Sequence, residues 1–270
     1  MPVLPEGYKT AIVLSLDCAS IDKTGQSTDA VISADVCDYL QSVVALVNEN
    51  SASLQVFTPV NTLTQHAEVF QKLHSQGHVV DAMIDLEADA FITHLEQENT
   101  RFSEIMGESA SGLRLLQMQR NGIQAELDLQ QAALETGLVY SSTDYSSKNP
   151  DHGSLAWADK NATMIMKHQQ PRWYPTGLLE IPSAGFSDRM FFCEQERSLS
   201  EWLDHVRQCI DFACDMSLLY APYLSVEVLS RFDAEGETFK VLIEYAKKKF
   251  TPVLFCTHRQ IAQWEIENKA

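Results

Sequence analysis

The sequence of 270 residues lacks several short motifs that mark common enzyme classes. It has no Cys-x-x-Cys spacing, no Gly-x-Ser-x-Gly nucleophile elbow and no glycine-rich loop after its first predicted strand. These absences disfavour a zinc ribbon or dithiol redox site, a serine nucleophile of the α/β-hydrolase kind, and a nucleotide-binding α/β domain. The acidic run at 81–89 does not have the spacing of an EF-hand loop.

Basic residues and long apolar runs are also scarce. The chain has 20 Lys and Arg against 37 Asp and Glu, which gives a formal net charge of -17. Because such a surface repels phosphates and anionic lipids, we expect neither nucleic acid nor a membrane as a partner. The first ten residues predict no secretory signal, and the six cysteines are not spaced as a disulfide framework. The sequence therefore predicts a cytoplasmic protein with reduced thiols.

Strand-like and helix-like segments alternate along the whole chain. Apolar, β-branched runs predict strands at 10–17, 53–60, 78–84, 112–117, 138–142, 178–182, 218–220 and 252–256. Helical patterns occupy 33–48, 87–106, 123–136, 199–216, 238–250 and 260–268, and one more helix lies between a cap at Asn61 or Thr62 and a terminating glycine at Gly77. Seven or eight such units predict an α/β protein, either a barrel or a doubly wound sheet, in a single domain over 1–270.

Four segments carry a resemblance to a known family. The first strand ends in Ser15-Leu16-Asp17-Cys18, a helix is followed by Gly77-His78, the fourth strand contains Arg114-Leu115-Leu116-Gln117, and a late segment reads Leu219-Tyr220-Ala221-Pro222. In order and spacing these segments resemble the motifs of the polysaccharide deacetylase family, also called carbohydrate esterase family four or the NodB-homology domain. The resemblance covers residues 10–264 and implies a distorted (β/α)7–8 barrel.

The same resemblance implies a degenerate metal site. Family members bind zinc through one aspartate and two histidines, and the matching positions here are Cys18, Met83 and Glu87. A neutral thioether such as that of Met83 is a poor ligand for zinc. We therefore expect no metal at these positions and no cofactor.

The resemblance also implies three residues for the chemistry. Asp17 matches the family's general base, and Arg114 matches the arginine that orients this base through an ion pair. Tyr220 stands where the family has a histidine, and it could supply a proton or an oxyanion contact. Asp17 and Arg114 also have purely structural interpretations, as a residue that caps the next loop and as a surface or structural charge.

Further polar and aromatic residues are candidates for ligand binding. Asp144 and Tyr145 match a later family motif that follows the fifth strand, and Trp173 and Tyr174 lie in an aromatic stretch of the kind that stacks on sugar rings. His258 lies in the last loop, from which it could reach the mouth of a barrel. Aromatic residues of this kind also close cores, so both interpretations stay open.

Two hypotheses of function follow from these features. The first is a non-catalytic carbohydrate-binding or accessory protein, because loss of the metal removes the activated water and the Lewis acid. The alternative is a metal-independent hydrolase of amide or ester bonds, in a sugar or a small molecule, with Asp17 as base. The sequence predicts a carbohydrate or small-molecule ligand and allows a protein partner in polysaccharide biosynthesis, but it fixes neither substrate nor oligomeric state.

Overall fold

The structure is a computed structural model that describes residues 3–21, 27–85, 91–119, 121–144, 166–167 and 169–269. Within these ranges the strands are β1 Ala11–Val13, β2 Ser15–Asp17, β3 Ser20–Ile21, β4 Ser27–Thr28, β5 Gln55–Thr58, β6 Val79–Ile84, β7 Gly112–Gln119, β8 Tyr140–Asp144, β9 Arg172–Trp173, β10 Leu179–Glu180, β11 Leu219–Tyr220 and β12 Leu254–Cys256. The α-helices are α1 Ala34–Glu49, α2 Val60–Gln65, α3 Ala67–Ser75, α4 Phe91–Met106, α5 Leu127–Glu135, α6 Leu199–Met216, α7 Val226–Phe232, α8 Glu237–Lys240, α9 Ala246–Lys249 and α10 His258–Glu267. Met190–Glu194 and Val241–Tyr245 are π-helical.

The predicted alternation of strands and helices is confirmed, with element ends shifted by a few residues. Helix α6 begins at a capping box in which Ser198 and Glu201 bond each other's backbone. Gly77 and Gly137 follow α3 and α5 with φ of 88° each, the left-handed conformation that ends helices at glycine. The short helix α7 was not predicted, because a single helical turn or two carries little periodicity.

The strands form two main sheets that share one continuous segment. The larger sheet has the order β2-β5-β6-β7-β8-β10-β9 and is parallel except for β9, while β11-β1-β12 is fully parallel. Only Leu14 separates β1 from β2: its N–H donates to the Cys256 carbonyl, and its own carbonyl accepts from Gln55. Beyond the strands, Ala184 N–H donates to Ala221 O at 2.7 Å, which joins the chain after β10 to the chain after β11.

Buried apolar side chains fall into two clusters that follow the period of two along the strands. One cluster, here called the helix-side core, contains Ile12, Leu14 and Leu16 together with the apolar faces of the helices. The other, the enclosed core, contains Ala11, Val13 and Ala19. Because successive side chains of a strand point to opposite faces, Asp17 shares the enclosed side with Val13 and Ala19. Cys18 lies on the helix side.

Candidate active site

The predicted ion pair between Asp17 and Arg114 is present. Asp17 is the last residue of β2, and Arg114 lies on β7, three strands away in the sheet order. Arg114 Nη1 donates to Asp17 Oδ1 at 2.6 Å, and their side chains are 0% and 2% exposed. Asp17 Oδ2 is also buried, and the Tyr223 side chain gives the carboxyl group a further hydrogen bond. The carboxylate is thus held by an arginine and a tyrosine side chain.

Both terminal nitrogens of the Arg114 guanidinium have hydrogen-bond partners. Its Nη2 donates to Ser142 Oγ at 2.8 Å and to His258 Nε2 at 3.2 Å. Its central carbon lies 4.2 Å above the Phe57 ring and 5.6 Å from the Tyr223 ring. Hydrogen bonds at both terminal nitrogens and two neighbouring aromatic rings restrict rotation of this planar cation away from the carboxylate.

Burial sets the protonation of the groups around this pair. It raises the pKa of Asp17 from 3.8 to about 6. Desolvation raises this pKa by more than the Arg114 charge, the Arg114 hydrogen bond and a hydrogen bond from Tyr223 lower it. Burial and the neighbouring Arg114 together lower the pKa of His258 well below its usual value. His258 is therefore neutral and accepts at Nε2, while Asp17 changes charge close to neutral pH.

A second buried carboxyl group, which the sequence analysis did not single out, lies beside this pair. Asp188 is 1% exposed, and its oxygens accept from the N–H groups of Arg189 and Ser225, each at 2.7 Å. Desolvation raises its pKa to about 8, and the charge of Asp17 adds to this. Asp188 lies in a non-periodic stretch between β10 and a π-helical turn, so no sequence pattern could have pointed to it.

The structure describes two of the three family ligand positions, and these two do not come together. Cys18 belongs to the helix-side core and Met83 to the enclosed core, so their side chains point to opposite faces of the sheet. Burial also raises the pKa of the Cys18 thiol well above its usual range, which disfavours the thiolate that binds metals. Glu87 lies outside the described residues. Cys18 and Met83 therefore do not fit the zinc that the fold family uses.

The two metal-binding histidines of the family have a His-x-x-x-His spacing, and this sequence has one such spacing, at His74 and His78. His78 Nδ1 accepts from Leu54 N at 3.1 Å, and His74 lies 3.9 Å from Glu108. His78 immediately precedes β6 and so lies at the amino end of the strand, whereas Asp17 lies at a carboxyl end. Among the residues that the structure describes, no group of three or more His, Cys, Asp and Glu could hold a metal ion.

The structure does not bring Tyr220 to the Asp17–Arg114 pair. Leu219 and Ala221 belong to the enclosed core, so Tyr220 between them points to the helix side by the period of two. Its neighbours there include Cys209 of α6, and burial raises the pKa of its hydroxyl well above the usual value. Tyr220 is thus placed as a core residue of the outer layer.

The residues predicted to bind a ligand have different surroundings. Asp144 is buried and accepts from Arg172 Nη2 at 2.7 Å and from Asn121 N at 2.8 Å. Tyr174, the residue after β9, is buried, and its hydroxyl donates to Glu180 of β10 at 3.1 Å. Lys269 lies 3.6 Å from the centre of the Trp173 ring. Tyr145 lies outside the described residues.

His258 is the predicted ligand-binding residue that does join the site. It is fully buried as the first residue of α10, where it stacks on Tyr140 and meets Phe57 edge-on. Its contact with Arg114 places it behind the ion pair, rather than at an accessible rim. We infer that it supports the orientation of the arginine.

A second buried polar network, also not predicted, lies next to His258. Tyr140 donates to Asp81 Oδ2 at 2.6 Å, and the N–H groups of Ser111 and Gly112 donate to Asp81 Oδ1 at 2.7 and 3.2 Å. Arg259 reaches the same oxygen at 3.4 Å. These bonds satisfy Asp81 and fix the start of β7 and β8 under the site.

Comparison with solved structures found proteins of similar architecture. The allantoinase Puue superposes with a TM-score of 0.72 at 16% identity, over 97% of this chain and 92% of the other. A probable polysaccharide deacetylase from Pseudomonas aeruginosa PAO1 gives 0.73 at 16% identity, over 98% and 94%. A 4-alpha-glucanotransferase from Thermococcus litoralis gives 0.54 at 9% identity, over 94% of this chain and 40% of that one. No family model matches the sequence, and no curated protein has a significantly similar sequence.

These likenesses confirm the expected fold. The chain is an α/β protein of the distorted (β/α)7–8 barrel type found in polysaccharide deacetylases. Asp17 lies at the carboxyl end of β2, the end of the strands at which enzymes of barrel folds place their active sites, and Arg114 reaches it from within β7. None of the helices within the described ranges has the length and apolar character of a membrane span.

Proposed function

We propose that the chain is a metal-independent hydrolase of amide or ester bonds in which Asp17 is the general base. The observation that carries this proposal is the environment of Asp17: its carboxyl group is buried, Arg114 holds Oδ1 at 2.6 Å, and Tyr223 adds a hydrogen bond. A base is most effective when its pKa lies near the working pH, and burial brings that of Asp17 to about 6.

In this role each residue has a separate task. Asp17 takes a proton from the attacking water, and Arg114 fixes the carboxylate while its own orientation is held by Ser142 and His258. The likeness to an allantoinase supports a small substrate with a C–N bond, and the likeness to deacetylases supports an acetylated sugar. Neither role needs a metal at Cys18 or Met83.

A second candidate function is a non-catalytic carbohydrate-binding or accessory protein. The observation that favours it is the burial of Asp17, whose side chain is only 2% exposed. A base that no substrate reaches would do no chemistry, and the pair would then serve the architecture of the barrel.

Turnover separates the two candidates. The purified protein is incubated with acetylated chito-oligosaccharides and with small cyclic amides, among them allantoin and hydantoin, with and without a chelator. We expect chelator-resistant hydrolysis that falls by about 100-fold or more in Asp17→Asn, as loss of a general base does. Asp211→Asn, at a partly exposed ion pair with Lys249, is the control and should keep full activity. A wild type inactive on the whole panel, with saturable binding of the sugars, would establish the second candidate.

A further inference from the structure

Asp188 is a buried carboxyl group for which the mechanism above has no task. Its side chain is buried, with 1% of the residue exposed, and none of the ion pairs found between described residues includes it. Its bonded partners are backbone N–H groups of Arg189 and Ser225. Backbone donors do not neutralise a carboxylate, so the burial of Asp188 favours its protonated form.

The segment 223–225 places Asp188 beside Asp17. On one side, Asp17 N donates to Leu224 O at 2.8 Å, and Asp17 pairs with Ser225 in a parallel bridge. On the other side, Ser225 N donates to Asp188 Oδ2 at 2.7 Å, and Asp188 N donates to Tyr223 O. Adjacent extended segments lie about 4.8 Å apart. A single extended segment therefore separates the backbones that carry the two carboxyl groups.

The charges around Asp188 keep the two carboxyl groups in different protonation states. Desolvation is the largest effect on its pKa, the negative charge of Asp17 raises it further, and the Arg189 side chain opposes both only weakly. The ionisable groups whose charges interact with Asp188 are Asp17, Arg189, Tyr39 and Cys193. Asp17 has the arginine and ionises first, with a pKa of about 6, and Asp188 keeps its proton up to about pH 8. Two neighbouring carboxyl groups with separated pKa values are a pattern of acid–base catalysis.

We propose that Asp188 is the general acid of this site and protonates the leaving group while Asp17 acts as base. This inference rests on the proposed hydrolase function. Asp17 takes one proton from water, the water oxygen bonds to the carbonyl carbon, and the C–N bond breaks as the Asp188 proton passes to the nitrogen. The products are an acid and an amine, and the proton on Asp17 returns to Asp188 through solvent, so one water is consumed and nothing else.

The pH dependence of kcat/KM tests this assignment. The wild type should give a bell with an acidic limb near pH 6 and an alkaline limb near pH 8. Asp188→Asn should lose the alkaline limb and about 100-fold in rate. The control is Asp233→Asn, since Asp233 is also buried and also accepts two backbone N–H groups, from Glu237 and Thr238. It should keep the bell whatever it does to stability.

The choice of leaving group distinguishes an acid from a structural residue. A p-nitrophenyl ester releases p-nitrophenolate without protonation of the leaving oxygen, so Asp188→Asn should hydrolyse it nearly as fast as the wild type. On an alkyl amide the same variant should be slow. An equal loss on both substrates, or an alkaline limb that persists in the variant, would overturn the inference while leaving Asp17 as base.

A measurement without turnover separates this inference from the function itself. Carboxyl carbons of 13C-labelled aspartate are titrated by NMR in the wild type, in Asp188→Asn and in Asp17→Asn. We expect one signal near 6 and one near 8, the upper signal absent in Asp188→Asn and moved to lower pH in Asp17→Asn. If no carboxyl group titrates above pH 7, Asp188 is not a proton donor. If both titrate as expected but the protein has no turnover, the hydrolase proposal fails on its own.

Discussion

Arg114→Met tests whether the Asp17–Arg114 pair acts as a unit. The guanidinium is fully buried, 2.6 Å from the carboxylate and 4.2 Å above the Phe57 ring, and methionine fills much of the same volume without charge. Removing one partner of a buried ion pair leaves an uncompensated charge and costs about 3–5 kcal/mol. We expect that loss in the free energy of unfolding of Arg114→Met at pH 7.5, measured by urea denaturation.

The double variant gives the sharper result. In Asp17→Asn with Arg114→Met no buried charge is left at either position, so most of the loss should be recovered and the coupling energy should be at least about 2 kcal/mol. Arg101→Met is the control, because Arg101 also forms an ion pair, 3.5 Å from Glu98, but its side chain is 48% exposed. Such a surface pair is worth at most about 1 kcal/mol. If the effects at positions 17 and 114 add, the two residues are not coupled and the assignment of Arg114 as orienter is wrong.

The sign of the pH dependence follows from the raised pKa of Asp17. A folded-state pKa above the unfolded value stabilises the fold at low pH, and this stabilisation is lost as pH rises through the folded pKa. For Asp17 the difference between 3.8 and about 6 corresponds to about 3 kcal/mol, lost between pH 4 and pH 7. Because Arg114 lowers this pKa, Arg114→Met should extend the loss to higher pH, and its deficit should shrink at pH 4.5. A deficit that is constant between pH 4.5 and 7.5 would refute the reasoning.

Two further substitutions probe the surroundings of the site. Gly112→Ala should lower the unfolding free energy by about 1–3 kcal/mol or more in thermal or urea unfolding, because its Cβ would lie 2.0 Å from the Tyr140 ring, which Asp81 holds in place; an alanine variant as stable as the wild type would show that this ring can move. Cys18→Ala should cost about 1 kcal/mol through lost packing and change neither zinc content nor turnover; loss of stoichiometric zinc in elemental analysis of the variant would show that Cys18 is a ligand.

The sequence predicted the strand-and-helix order through local patterns, and the resemblance to a family predicted the ion pair. The strand 10–17 is a β-branched run that ends at a carboxylate, and Arg114 lies between apolar neighbours of another strand. An arginine in such a place needs a buried partner, and the motif resemblance supplied Asp17 as that partner. The contact at 2.6 Å confirms this reasoning.

Other parts of the site depend on information that the sequence does not carry locally. Tyr220 matched a family position through the neighbouring Leu219 and Pro222. The side of the sheet that a residue of a two-residue strand faces depends on the strands it pairs with, and its own sequence is too short to show this. Asp188 precedes a π-helical turn in a stretch without period, and only the hydrogen bonds of segment 223–225 bring it to Asp17. His258 was expected in a loop, and it proved to begin a helix under the site.

The energetics of the pair give a reason to look for chemistry at this site. Desolvation of a buried ion pair commonly exceeds the gain from its attraction, and well-packed apolar residues of similar volume are often as stable or more so. Asp17 and Arg114 fit this description, because burial still raises the pKa of Asp17 to about 6 despite the cation 2.6 Å away. Asp188 adds a second buried carboxyl group one segment from the first. A fold stabilised by its enclosed core has no need of three buried ionisable groups close together, whereas acid–base catalysis uses such groups. The double variant should therefore be close to the wild type in stability and lack its activity.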